Sequence, residues 1–584
     1  MAIATREYLK SLIPDGLVKG EALLEEGRKL GSAIQAGKSR LVRDSNYHHY
    51  LEYFQAQAAR GEIGWTTNVG LATVEEHVRG VQEIHDWCEK LKIKYNFTIS
   101  IPSTLLAIPK EKRRYDLRNT SYVPESLEDY KRLGDIRGME VIQGDQVLFV
   151  PNAWETGLNA LKAGSSQIGC VSQLMWSHPG CEDHVQYLMD TLRILGVISQ
   201  KWDEGIFVGG YLDDTYPSYC KDAIAYVAYA LFEQYVITHL CHVRYATAFG
   251  GLISDIRTKA ALLKALYDVL YTDEQPPILF THANTTRYWD HDIEANYGML
   301  AQEILMAVLA ERRYKTGAMI VPVPITEKVC VPTVDSIKNV LGVSGRLLEN
   351  IEQWEDVIDF TRIDQMAEVI KNEGTKMFNN MLTVLDDAGI DIKDPLHMLL
   401  FIKKFDAGLL EETFHPRVKE NGRVDVYFYT DMGQLTQKMI DESEKEIGEK
   451  ELSGVLRKKK VLVASTDAHV YGVHYVRDVL KEAGADVLDG GVDSSIKEIL
   501  DIAEEEEIHY IGISTHNGQA LGLAEQVLEE LNERSGTYTV FLGGVLNTIL
   551  PGHSEPSDVK NMINEKGVFA SNDIIEIIQM LAEN

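Results

Sequence analysis

Between residues 64 and 323, short apolar or β-branched runs alternate with longer stretches whose apolar residues recur every three or four positions. Eight such runs stand out: GWTTNVG (64–70), YNFTISI (95–101), VLFVPN (147–152), QIGCVS (167–172), GIFVGGY (205–211), HLCHVRY (239–245), PILFTHA (277–283) and GAMIVPV (317–323). The segments between them, such as VEEHVRGVQEIHDWCEKL, VQYLMDTLRILG and AQEILMAVLAERR, carry helical periodicity. Near-continuous apolar strands alternating with helices predict a parallel sheet covered by helices, and eight such units predict a closed (β/α)8 barrel. The pattern is weakest between the second and third runs, where a long basic and polar stretch intervenes.

The flanks read differently. Residues 1–60 are polar with an apolar periodicity through Leu17, Leu23, Leu24 and Leu30, which predicts a helical arm packed on something larger. The barrel is assigned to 61–340 and a mainly helical extension and linker to 341–455. The extension ends in the charged run KMIDESEKEIGEKELSG, expected to be a solvated helix or linker. From 456 to 584 strand–helix alternation resumes: KVLVAST, ADVLDGG, HYIGIST and TVFLGGV are strands, separated by helices and closed by IIEIIQMLAEN. This predicts a doubly wound sheet of flavodoxin-like size, which binds ligands at the carboxyl ends of its strands. The fold class is α/β throughout.

At 584 residues the chain exceeds what one core supports, and 45% hydrophobic with 25% charged residues is an ordinary globular balance. A net charge of −30 excludes a basic nucleic-acid footprint and suits small-molecule chemistry. Six scattered cysteines without CxxC spacing suggest reduced thiols. With no apolar leader and no run of membrane-spanning length, a cytoplasmic protein without a membrane partner is expected, as a homo-oligomer such as a dimer.

Directly after the first C-terminal strand comes Asp467-Ala468-His469-Val470-Tyr471-Gly472, a D-x-H-x-x-G pattern. A histidine on the loop leaving a strand tip can offer a ring nitrogen to a metal. Asp467 stands close enough to accept a hydrogen bond from the other nitrogen, and Gly472 leaves room for a bulky ligand. Alone, the pattern occurs by chance in many proteins, and an Asp–His pair on a loop is commonly a surface hydrogen bond. Ser514-Thr515 and Gly543-Gly544 at the ends of the third and fourth strands, on the side of His469, tip the balance towards a ligand site.

Through STDAHVYG, GVDSS, GISTHNGQ and FLGGV the segment resembles the cobalamin domains of carbon-skeleton mutases and corrinoid methyltransferases, most of all the small subunit of glutamate mutase. The resemblance implies His469 as the lower axial ligand of cobalt, replacing the cofactor's own nucleotide base, with Asp467 orienting it and Thr466, Ala468, Val470 and Gly472 beside it. Ser514 and Thr515 would line the pocket for the displaced nucleotide tail, and Gly543, Gly544, Val545, Leu546 and Asn547 would border its base. His516, which would also contact the cofactor, stands where the family commonly has Leu.

Upstream, TTNVGLATVEEHVRGVQ, AFGGLISDI and TEKVCVPTVDSI resemble, in the same order, the large subunit of glutamate mutase. Both parts in one chain are more like 2-methyleneglutarate mutase. The likeness implies an adenosylcobalamin-dependent radical isomerase that rearranges the carbon skeleton of a small organic acid at the barrel mouth. A corrinoid methyltransferase or methyl carrier is the alternative, and a cobalamin-binding sensor a second. Glu327 matches a glutamate that holds the adenosine ribose, although a solvated loop carboxylate reads equally well. Val323 replaces that site's lysine, and Gly70 matches a glycine at the cofactor face.

The arginines that grip glutamate are replaced by Asn68 and Val150, with a third position falling near Lys110–Arg114. Ile168 and Leu174 stand where its amino group is fixed. A substrate other than glutamate is therefore expected. Arg244 is the candidate clamp for a substrate anion, with a structural salt bridge as its alternative. Asp213, Asp214, His178, His282, Asn284, Arg287 and His291 are further polar candidates near strand ends.

Overall fold

The computed structural model describes residues 4–583 apart from 114–120, 177, 179–180, 182, 273, 284, 286–291, 328–330, 420–423, 467–469, 492–493, 516–519, 535 and 549–556. Eight parallel strands pair in sequence order: β1 (Asn68–Val69), β2 (Phe97–Ser100), β3 (Glu140–Gln143), β4 (Gln167–Cys170), β5 (Phe207–Tyr211), β6 (Arg244–Phe249), β7 (Ile278–Ala283) and β8 (Met319–Pro322). A parallel bridge between Trp65 and Ile320 completes the ring, the Thr66 N–H donating to the Ile320 carbonyl at 3.1 Å. A helix follows every strand, from Val74–Lys90 after β1 to Val334–Leu348 after β8. The protein thus contains the (β/α)8 barrel that the alternation predicts. Its eighth helix runs past residue 340.

Two predicted strands lie elsewhere. VLFVPN is a buried loop: Val147, Leu148, Phe149 and Val150 are fully covered, but Gln146 and Phe149 have φ of 58° and 60°, which no extended strand allows. The third strand is the short EVIQ segment before it. HLCHVRY begins in the π-helical turn Tyr235–Leu240 and turns through His242 at φ 57°, so the sixth strand starts only at Arg244.

The N-terminal arm closes the bottom of the barrel. Tyr50, on the helix Tyr50–Ala59, stacks on Phe97 at a ring distance of 5.0 Å, and Phe97 stacks on Phe280 at 5.5 Å. These rings form one apolar layer with Phe207, Ile278 and Met319. Helix Gly20–Gly31 crosses helix His184–Ser199 at Gly27 and Gly196, where a Cβ on Gly27 would fall 1.9 Å from the Arg193 carbonyl oxygen. The open cavity is left at the carboxyl ends of the strands.

The C-terminal domain is a parallel sheet of β9 (Lys460–Ser465), β10 (Asp486–Asp489), β11 (Tyr510–Thr515), β12 (Thr539–Gly544) and β13 (Phe569–Ala570), ordered β10-β9-β11-β12-β13. This is the flavodoxin-like order. The four predicted strands are present, and β13 is an addition. One face packs on helices Val470–Glu482 and Ile574–Glu583. Helix Asp431–Glu449, inside the predicted charged linker, contributes Ile440 and Ile447 to that same core. Among the described residues no helix is long and apolar enough to cross a membrane.

Candidate cofactor and substrate site

Asp467, Ala468, His469 and His516 lie outside the described residues, as do Asn284, Arg287 and His291. The elements that carry the motif are described. Thr466 follows β9 and its N–H donates to the Ser514 carbonyl at 3.2 Å, which ties the β9 tip to the β11 tip. Val470 opens the helix that leads away. Ser514 and Thr515 end β11, pairing in register with Gly543 and Gly544 at the end of β12.

Side-chain chemistry at these tips is unfinished. The Ser514 and Thr515 hydroxyls and the Tyr471 hydroxyl are buried without hydrogen-bond partners. Such groups cost about 1–3 kcal/mol each when unmet, which is the usual mark of a ligand position. Gly544 has φ +98°, and a Cβ there would fall 2.3 Å from the Thr515 carbonyl oxygen. Only glycine keeps this crossing, and it lets the Val545 N–H donate to Thr515 at 2.7 Å. Leu546 is buried in the domain core, while Asn547 pairs with Asp558 in a short antiparallel ribbon.

A cavity of about 330 Å³ opens on this face, lined by Val463, Gly472, Gly512, Ser514, Phe541 and Gly543 among others. Ser514 and Tyr471 are among its lining residues; Gly543 leaves its floor open, while the Phe541 ring lies over Gly512, 2.5 Å from where a Cβ would stand. An apolar slot walled by Phe541 and Val463 and open over Gly543 has the shape for the flat base of a corrinoid's nucleotide tail, with Ser514 beside it and Thr515 behind the strand tip. The structure thereby brings Gly472, Ser514, Gly543, Gly544 and Val545 to one cavity; Tyr471 and Gly512 were not singled out in the sequence. A tyrosine inside the motif was the available signal.

At the barrel mouth a second cavity, of about 430 Å³, is lined by Asn68, Asp145, Asp214, His282 and Glu327 together with apolar groups. Burial pushes the Glu327 carboxyl up to about 7 and Asp145 to about 6. Asp214 goes to about 8 through burial, with repulsion from Asp145, Asp213 and Glu327 added. His282 is driven down to about 3 by burial, with Lys259 nearby, so its imidazole is neutral; its Nδ1 is buried without a partner. Asp213 faces a different task, accepting from Tyr226 Oη at 2.8 Å and the Gly251 N–H at 2.9 Å. Asp145 was missed because the third strand was sought at 147–152, beyond it.

Arg244 is at the wrong end of the barrel for a clamp. It begins β6, stacks 4.2 Å over the Trp202 ring and donates to the Trp202 carbonyl at 3.1 Å. The sixth strand runs four residues further than predicted before reaching the mouth. Arg113, in the region of a lost arginine, is spent on the Ile108 carbonyl and Glu125. Val150, Ile168 and Leu174 are packed in the barrel core. Gly70 meets the Ile101 carbonyl, where a Cβ would come within 2.7 Å. His178 is buried, which lowers it to about 4.

The two cavities belong to facing loops. Tyr219, in the segment after β5, packs against Tyr471, after β9, with ring centroids 6.4 Å apart. Arg477, on the helix after β9, donates to Glu412 of the helical extension at 2.8 Å as well as to Asp478 and Asp489.

Residues 458–562 match the family of B12 binding domains, so the C-terminal sheet is a cobalamin-binding domain. Over 90 residues the chain is 32% identical to the 2-hydroxyisobutanoyl-CoA mutase small subunit of Aquincola tertiaricarbonis, covering 15% of this chain and 66% of that protein. Over 84 residues it is 32% identical to glutamate mutase sigma subunit 2 of Haloarcula marismortui, covering 14% of this chain and 57% of that one. The chain therefore spans less than two thirds of the length of either relative.

Proposed function

We propose that this chain is a cobalamin-dependent mutase: a radical isomerase that rearranges the carbon skeleton of a small organic acid held at the barrel mouth. The observation that carries this reading is the facing of two strand-tip clusters. The helix after β9, which carries the end of the cobalamin motif, meets the segment after β5 of the barrel through Tyr471 and Tyr219. A cofactor held at the strand tips of the C-terminal sheet would then lie next to the barrel cavity.

Bound as adenosylcobalamin, the cofactor supplies the hydrogen-abstracting radical chemistry. The protein's own groups do the rest. By the motif, His469 would hold the cobalt and Asp467 would orient it. Ser514, Gly543 and Gly544 would hold the nucleotide tail, with Thr515 supporting the strand tip behind them, and Glu327 would meet the ribose at the mouth. Asp214, kept largely protonated near neutral pH by burial and by repulsion from Asp145, Asp213 and Glu327, can donate a hydrogen bond to a substrate carboxylate in place of the absent arginine grip. The barrel walls exclude water from the reactive centre.

Anaerobic reconstitution with adenosylcobalamin and a panel of small mono- and dicarboxylic acids tests the reading by electron paramagnetic resonance. The expected result is a substrate-dependent organic-radical signal coupled to cobalt. Transfer of a methyl group from a donor to the bound corrinoid, without such a signal, would overturn the mutase in favour of a methyl carrier. In the same spectra, His469→Ala should remove the histidine-nitrogen splitting on cobalt; its persistence would refute the ligand assignment.

A further inference from the structure

Helix Asp431–Glu449 lies before the segment that matches the B12 binding family, which begins at 458. Its charged sequence suggests a solvated linker, and one side is solvated: Lys438 pairs with Glu442 and Lys445 with Glu449 one turn on. Two other sides are occupied differently. Ile440 and Ile447 anchor the helix in the core beneath β9, and the Ser443 and Tyr475 hydroxyls are 2.8 Å apart. Met432, Leu435, Thr436 and Met439, at i, i+3, i+4 and i+7, face the 330 Å³ cavity beside Ser514 and Gly543.

That face is incomplete as it stands. Leu435 is 49% exposed and Met439 38% exposed, although both are large apolar residues on a helix anchored by its neighbours. Across the cavity the floor consists of Gly512 and Gly543 with Val463 and Phe541, and its other walls are Tyr475, Val476, Ile574 and Ile577. The slot is therefore apolar at the sides, open over Gly543 and backed by the Phe541 ring where it lies over Gly512. A planar, largely apolar aromatic base suits such a slot. Methionine suits the remaining wall, since its flexible, polarizable thioether packs well on aromatic edges.

We infer that helix Asp431–Glu449 is the outer wall of the pocket for the cobalamin nucleotide tail, with Leu435 and Met439 covering its base. The cofactor-binding unit then begins at this helix rather than at β9. The inference rests on the cobalamin reading above and adds residues that the family match does not reach.

The test uses the full-length protein and two probes: hydroxocobalamin, and cobinamide, which has the corrin ring but no nucleotide tail. Leu435→Asp and Met439→Glu should each raise the Kd for hydroxocobalamin about tenfold or more, while Met439→Leu stays within about twofold of the parent. None should change the Kd for cobinamide. Thermal unfolding of the cofactor-free protein should hardly move, because both side chains already meet solvent there. An unchanged Kd for hydroxocobalamin, or an equal loss for cobinamide, overturns the role of the helix. If the parent protein binds neither probe, the cobalamin reading falls and this inference with it. If Gly544→Ala weakens hydroxocobalamin binding while the helix variants do not, only the helix assignment fails.

Discussion

At single residues, the positions most dependent on their identity are those where backbone meets backbone or acid meets acid. Gly544 combines a left-handed φ of +98° with a 2.3 Å approach of any Cβ to Thr515. Gly544→Ala should destabilise the C-terminal domain by ~2 kcal/mol, from backbone strain plus the displaced strand tip. Chemical denaturation followed by cobalamin titration would read both effects, and full stability in the variant would contradict the geometry. Asp214 poses the opposite case. An unfolded aspartate loses its proton near about pH 4, whereas the folded carboxyl holds it to about 8. Between these values the native state binds more protons, so this group's contribution falls as pH rises. Asp214→Asn should therefore flatten the decline of Tm from pH 5 to pH 8 and leave the variant more stable by ~1 kcal/mol at the upper end. A parallel fall of parent and variant would show that Asp214 is not held protonated.

At the scale of elements, the sequence was legible where a strand is apolar along its whole length. β5, β7, β8, β11 and β12 come nearest to this, and with β4 and β9 each lies within about two residues of its predicted run; β10 lies as close although it is flanked by Asp486 and Asp489 and partly exposed. β3 was hidden because its buried first residue is Glu140, held by the Ser166 N–H at 3.1 Å, and because the next apolar run looks more like a strand than it is. Nothing in VLFV announces the positive φ at Phe149; burial in a loop uses the same residue types as burial in a sheet. β6 was read too early because the π-helical turn Tyr235–Leu240 extends an apolar helix into the run taken for strand. That shift carried Arg244 from the bottom of the barrel to its mouth. The cofactor domain was clearer: its glycines and hydroxyls recur at strand tips, and tips of neighbouring parallel strands are necessarily neighbours. Tertiary contacts that depend on another element, such as Leu435 and Met439 beside the cavity, leave no such local trace.

Across the whole molecule, function on this reading requires the C-terminal sheet to stay registered over the barrel mouth, and the described contact most suited to that task is Arg477. Its side chain is 6% exposed and joins the helix after β9 to Glu412 of the extension while also binding Asp489 and Asp478. Asp406 stands in the same cluster, pushed up to about 6 by burial and by repulsion from Asp489, with Arg477 opposing the rise. Removing the guanidinium leaves several poorly solvated carboxyl groups facing one another, a loss of ~3 kcal/mol when a buried pair is broken from one side. The damage falls on the junction, because β9 to β13 and the eight barrel strands keep separate apolar cores. Arg477→Ala should accordingly split thermal unfolding into two calorimetric transitions, with the C-terminal domain melting first. The split should widen from pH 5 to pH 8, since Asp406, pushed up to about 6, ionises across that range and adds its repulsion. A single undivided transition at both pH values would show that the domains are held together chiefly by their apolar and aromatic contacts, Tyr219 against Tyr471 among them.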